Sequence, residues 1–165
     1  MLIDELQVEE CIDVLSNEPL RFEEQLETWL NWQPHIAAYI LSDSFSLLND
    51  AEKEAFLFGA TVLTSLAIKH NITKEQISQE EIGEIEEANW ELLEDQNAKS
   101  LSQKMDIFFK DYPEEELLVF IEDLCADESE EDISSAGAEL MVIGLKTITD
   151  ALFLPANYLK SFQSR

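Results

Sequence analysis

The chain has 165 residues, of which 36 are acidic and 10 basic, for a formal charge of −26 at pH 7. That length suits one domain with a sizeable core, and 45% apolar residues set it apart from disordered acidic tails. The charge repels phosphate backbones and anionic lipid over a Debye length of about 8 Å, which excludes direct nucleic-acid binding and a membrane surface, while it attracts a basic protein, a polyamine or a divalent cation.

Four glycines and four prolines are few for this length, and apolar residues recur every three or four positions, so the pattern predicts helices throughout and no strand. The first helix is expected from Asp4 to Ser16, with Leu6, Ile12 and Leu15 on its apolar side, and stops before Pro19. The second runs from Leu20 to Asn31 and turns Phe22, Leu26, Trp29 and Leu30 inward. Pro34 suits the first turn of a third helix reaching Leu48. Asn49 or Asp50 caps a fourth, ending near His70-Asn71, whose stretch from Ala55 to Ile68 is apolar nearly all round and belongs at a centre. Thr73 to Gln76 and Ser78 to Glu81 each have the spacing of a capping box. The fifth helix is expected from Gln79 to Asp95, and a sixth, capped by Ser100, ends at Tyr112-Pro113. The seventh runs from Pro113 to Ala126 and leaves through the acidic run Asp127 to Asp132. The eighth runs from Asp132 to Leu152. The last segment, Pro155 to Phe162, either docks by Tyr158, Leu159 and Phe162 or frays.

Glu54, Gly59 and Thr64 recur as Glu139, Gly144 and Thr149 at one constant offset, and Ser44 recurs as Ser129. Leu26 to Pro34 matches Met105 to Pro113, and Ile12, Val14 and Leu15 match Trp90, Leu92 and Leu93. The expected architecture is therefore an all-α bundle of about eight helices in two tandem four-helix units, 1–71 and 79–153. A polar link at 72–78 joins them, and a C-terminal segment, 154–165, completes one pseudo-twofold domain. Glycine inside a helix costs about 1 kcal/mol against alanine, so Gly59 and Gly144 predict a close crossing of the two long helices.

Chemistry-bearing residues are sparse. Cys11 and Cys125 sit in apolar helical stretches without a CxxC or histidines at ligand spacing, and read as small hydrophobes of a reducing compartment. The acidic N-terminus, Met1 to Asp13, lacks the basic start of a signal peptide, and no apolar stretch is long enough to span a bilayer, so the expected location is the cytoplasm. His35 lies in a helix first turn, where an imidazolium is disfavoured; His70 lies at a helix C-terminus, where capping is its usual role. A di-iron bundle needs Glu-x-x-His, and the residues three before these histidines are Trp32 and Ala67. No GxSxG, HExxH, GxxxxGK or GxGxxG element occurs.

Only the acids are numerous enough to build a site. Glu81 and Glu84, one turn apart on the fifth helix, with Asp123 and Asp127 on the seventh, form a candidate magnesium set. Glu81-Ile82-Gly83-Glu84 resembles the ExxE helix of the all-α nucleoside triphosphate pyrophosphohydrolases, which pair it with an ExxD helix. The resemblance implies a magnesium-dependent phosphohydrolase. The seventh helix carries no ExxD, however, and the lysines such enzymes place near phosphates are few. Trp29, Trp32 and Trp90 fall at helical spacing with leucines and predict core positions. Trp32, between Asn31 and Gln33 at a helix end, is the candidate interface residue. Charge, helical architecture and absent catalytic motifs lead to a non-enzymatic acidic module, needing no cofactor and with homodimerisation among its expected properties, that binds a basic protein. The magnesium-dependent phosphohydrolase is the alternative.

Overall fold

The computed structural model describes residues 2–72, 74–94, 100–126 and 133–155. Thr73, Asp127, Ser129, Tyr158, Leu159 and Phe162 lie outside them. Among the described residues the chain is all α: α1 (Glu5–Asn17), α2 (Pro19–Trp32), α3 (Pro34–Ile40), α4 (Asp50–Lys69), α5 (Gln79–Glu94), α6 (Leu101–Phe109), α7 (Glu115–Cys125) and α8 (Ser135–Phe153), with a 3₁₀ turn at Asp43–Phe45 and no strand. No helix among them is long and apolar enough to cross a membrane.

Local chemistry accounts for most helix ends. Asp4 and Gln7 form a reciprocal capping box at α1, as do Asn49 and Glu52 at α4. Ser78, Ser100 and Ser134 accept the amides of Glu81, Gln103 and Gly137, while Pro19 and Pro34 open α2 and α3. Past α4, Asn71 adopts φ 54°. Its N–H donates to Ile68 O, and that of Ile72 donates to Ala67 O, so the otherwise free carbonyls of the last turn are satisfied.

The third helix departs from expectation. It ends at Ile40 instead of Leu48, and a 3₁₀ turn follows in which Ser46 bonds back to the backbone. Ser46 Oγ donates to Asp43 O at 2.8 Å. Leu41 and Leu47 are 81% and 87% exposed, and Phe45 and Leu48 take the core positions. Leu6 is 62% exposed; the inward stripe of α1 is Val8 and Leu15, flanked by Cys11 and Ile12. α6 stops at Phe109, where Asp111 turns the chain at φ 56°, and α7 begins at Glu115.

α4 and α8 cross at the centre, and α8 is buried without a break from Met141 to Leu152. Both central glycines sit where the helices nearly touch. A Cβ on Gly144 would lie 2.5 Å from Phe56 Cζ, and one on Gly59 would lie 2.7 Å from Leu124 Cδ2 and 3.0 Å from Leu145 Cδ1. Around this pair, α1 packs on α2 and α4 as α5 packs on α6 and α8. α3 packs on α2 and α5 as α7 packs on α6 and α1, and α7 also lies against α4 and α8. The helix caps Asn49 and Ser134 stand at the same offset as Gly59 and Gly144. Thr64 and Thr149 each return a hydroxyl to the carbonyl four residues back, both at 2.8 Å.

One carboxylate ties the two helix starts together. Glu52 is buried, and it accepts the N–H of Asn49 at 2.8 Å and both the N–H and the hydroxyl of Ser134 at 2.9 Å. It occupies the space that a side chain at Gly137 would fill, since a Cβ there would lie 1.8 Å from Glu52 Oε2. Burial works to raise the pKa of this carboxyl, but the Asn49 and Ser134 donors outweigh it and hold it below its ordinary value of 4.5.

The connector between α4 and α5 is pinned. The buried amide of Gln33 donates to Glu75 O at 3.1 Å and accepts the N–H of Ile77 at 3.0 Å. Lys74 donates to the carbonyls of Ala151 and Leu154 at 2.6 and 2.8 Å, closing the last turn of α8.

Two stability measurements check this account. In urea melts, Gly144→Ala should destabilise by roughly 1–3 kcal/mol through overpacking against Phe56. Gly83→Ala, whose Cβ meets nothing within 4 Å, should stabilise by up to about 1 kcal/mol. Equal tolerance of both would refute the close crossing. Glu52→Gln should cost about 1–3 kcal/mol at pH 7. Because the folded pKa of Glu52 is depressed, its contribution is complete above the ordinary carboxyl value and is lost as the pH falls through the folded one. The gap between wild type and Glu52→Gln should therefore narrow in acid, and a gap that widens there would sink the double-cap assignment.

Candidate functional site

The N-terminal residues clamp α1 to α7. Glu114, the buried residue preceding α7, accepts the N–H groups of Leu2 and Ile3 at 2.8 and 3.2 Å. The two helices therefore start side by side, and a groove of 290 Å³ opens between them above α4. Its floor is apolar: Val8 and Ile12 from α1, Phe58 from α4, and Val119, Phe120 and Leu124 from α7. Its rims carry Glu5 and Glu9 on one side and Glu116 and Asp123 on the other, and no basic residue lines it. The floor is held from below. Phe58 stacks on Phe22 with ring centroids 6.2 Å apart, and Leu124 rests on Gly59.

Further acidic residues, Glu122 and Asp106, lie beyond the α7 rim. Burial, and then the neighbouring charges of Asp123 and Asp106, push the pKa of Glu122 above its ordinary value, as like charges do when too little counter-charge is at hand. A second groove, 590 Å³ between α1, α2 and α4, has mixed signs: Glu10 and Asp13 face it together with Arg21 and Lys69, around Cys11 and Ile68.

A buried polar network lies on the opposite side of the core. Lys146 Nζ donates to Asn89 Oδ1 at 2.8 Å and to Asp150 Oδ2 at 2.9 Å. Asp150 also accepts from Tyr112 OH at 2.5 Å and from Asn89 Nδ2 at 3.1 Å. The rings of Phe108 and Tyr112 face the ammonium at 4.8 and 5.0 Å. The Lys146 and Asp150 side chains are 5% and 0% exposed, and none of the network residues lines either groove. The arrangement ties α5 and the end of α6 to α8 inside the core.

Of the sequence-predicted residues, Glu81 and Glu84 are exposed on α5, which packs on α8, α3 and α6. Glu81 lies near Lys74, whose pKa burial lowers from its ordinary 10.5 while Glu81 offsets part of that effect. Asp123 is exposed on α7, where it forms part of the groove rim, and Asp127 lies outside the described residues. Among the described residues no group of three or more His, Cys, Asp or Glu is placed to hold a metal ion. Trp32 is half-buried against the core at the end of α2. Trp29 is fully buried and donates its indole N–H to Thr61 Oγ1 at 3.1 Å. Both thiols are free. Burial pushes Cys11 up to about 11, with Lys69 opposing, and Cys125 up to about 12, so neither is a thiolate nucleophile at neutral pH.

The sequence reading missed the network, although its signal was present: Lys146 and Asp150 are one turn apart inside an apolar run. The groove had no local signal, because its walls come from opposite ends of the chain. Neither family models nor curated proteins nor solved structures yield a match to this chain.

The network is tested through stability. Lys146→Met leaves Asp150 buried without its cation and should cost roughly 3–5 kcal/mol in urea melts. A loss under about 1 kcal/mol would show that the pair contributes no more than an exposed ion pair does.

Proposed function

We propose that this chain is a non-enzymatic acidic helical protein that works as an interaction module for a basic partner protein. The observation that carries the proposal is the apolar groove between α1 and α7, rimmed on both sides by carboxylates alone, in a chain of net charge −26. A floor of this kind excludes water from a docked apolar side chain, while the rims steer and orient a cation-rich surface. The neutral thiols and the fully engaged polar groups of the Lys146–Asp150 network support a binding role over a chemical one. The free cysteines agree with a cytoplasmic, reducing setting.

The correspondence of caps, central glycines and helix neighbours supports two related four-helix units as the origin of the fold. Nothing in the described geometry favours the magnesium-dependent phosphohydrolase reading.

The test is capture from lysate on the immobilised chain at low ionic strength, beside an unrelated acidic protein of matched charge. A basic protein retained by this chain alone, and weakened about tenfold or more between roughly 0.05 and 0.5 M salt as the Debye length contracts, is the expected result. Retention identical to the matched control would overturn the proposal.

A further inference from the structure

We propose that the α1–α7 groove is the docking site for an amphipathic helix of the basic partner. The apolar stripe of that helix seats on Val8, Ile12, Val119 and Leu124, while lysines or arginines on its two flanks meet Glu5 and Glu9 on one rim and Glu116 and Asp123 on the other. This inference rests on the interaction-module reading and adds the place and the secondary structure of the occupant.

Three features select a helix. The walls are helices whose backbone groups are already engaged within them, so an extended segment would find no sheet edge to extend and would leave its own amides unpaired in an apolar trough. A helix brings its backbone satisfied. The walls also start together at the Glu114 clamp and offer apolar side chains one turn apart, Val8 with Ile12 and Phe120 with Leu124, which is the interval at which a helix offers its own ridges. Finally, 290 Å³ lies just below the roughly 300–1,000 Å³ of small-molecule sites and suits anchoring side chains better than a whole ligand.

Charge selects the basic partner. Every charged residue lining the groove is acidic. The second groove, with its mixed signs, selects no such occupant. The floor is set before binding, since Phe58 is stacked on Phe22 and Leu124 is seated on Gly59, so little ordering cost falls on this side of the complex.

The probe is a fluorescein-labelled peptide with leucines at i, i+3, i+4 and i+7 and lysines elsewhere, set against a scrambled peptide of identical composition. Fluorescence anisotropy at low salt reads the binding of each. Three variants are compared with the wild type: Glu5→Lys/Glu9→Lys/Glu116→Lys in the groove, Val119→Asp at a 37%-exposed wall position, and the charge-matched control Glu23→Lys/Glu24→Lys/Glu27→Lys on the exposed face of α2. The ordered peptide should bind at least about tenfold more tightly than the scrambled one, and each groove variant should lose about tenfold or more while the α2 control loses far less. If groove and α2 reversals weaken binding equally, or Val119→Asp changes nothing, the groove is not the site, and the basic-partner reading survives as attraction by diffuse charge. If neither peptide binds at low salt, both readings fail together.

Discussion

Helix N-termini present unpaired amides, and burying two of them near each other is costly unless acceptors are brought in. In this chain the starts of both central helices meet at one carboxylate. Glu52 closes the capping box of α4 and at the same time accepts from the cap residue of α8. The close approach of the central helices depends on that shared acceptor, and the absence of a side chain at Gly137 leaves room for it. From there α4 and α8 run across one another with Gly144 under Phe56 and Gly59 under Leu124, and the six remaining helices are arranged around the pair. The groove is part of the same construction, because Leu124 in its floor is the residue that Gly59 admits.

The distribution of charge follows from what the interior can accommodate. Apart from Glu52 and Glu114, each spent on backbone amides, and Asp150, paired with Lys146, the acidic residues of the described chain lie at least partly in solvent. Buried carboxylates are thus used as acceptors for specific donors, while the exposed ones accumulate into a field. The two uses meet along α7, where Glu114 clamps the N-terminal residues and Glu116 and Asp123, further along the same helix, face water across an apolar trough.

Much of the fold was legible because its determinants are local. Asn49, Ser100 and Pro34 announce helix starts, and Pro19 a helix end, by chemistry that acts within one turn, and the twin glycines announced a close approach that the structure contains. The end of α3 was not legible, because Leu41, Leu47 and Leu48 continue a helical period through a stretch whose serines and aspartate favour a turn. Exposed leucines are common enough on folded surfaces that hydrophobic spacing alone cannot rule them out. The groove was hidden for a different reason. Its rims belong to helices that begin more than a hundred positions apart, and nothing in either segment names the other. Glu52 had a visible role as a capping-box residue, but its second role requires knowing which helix start lies opposite.

The pinned connector between α4 and α5 ties elements that lie far apart in sequence. Gln33 fixes the backbone at Glu75 and Ile77, and Lys74 in the same connector completes the final turn of α8. The last carbonyls of α8 thus take their donor from a loop that is itself held by Gln33, next to α2. Opening that loop would therefore also free the last turn of α8, so helix ends far apart in sequence are coupled through two side chains, Gln33 and Lys74.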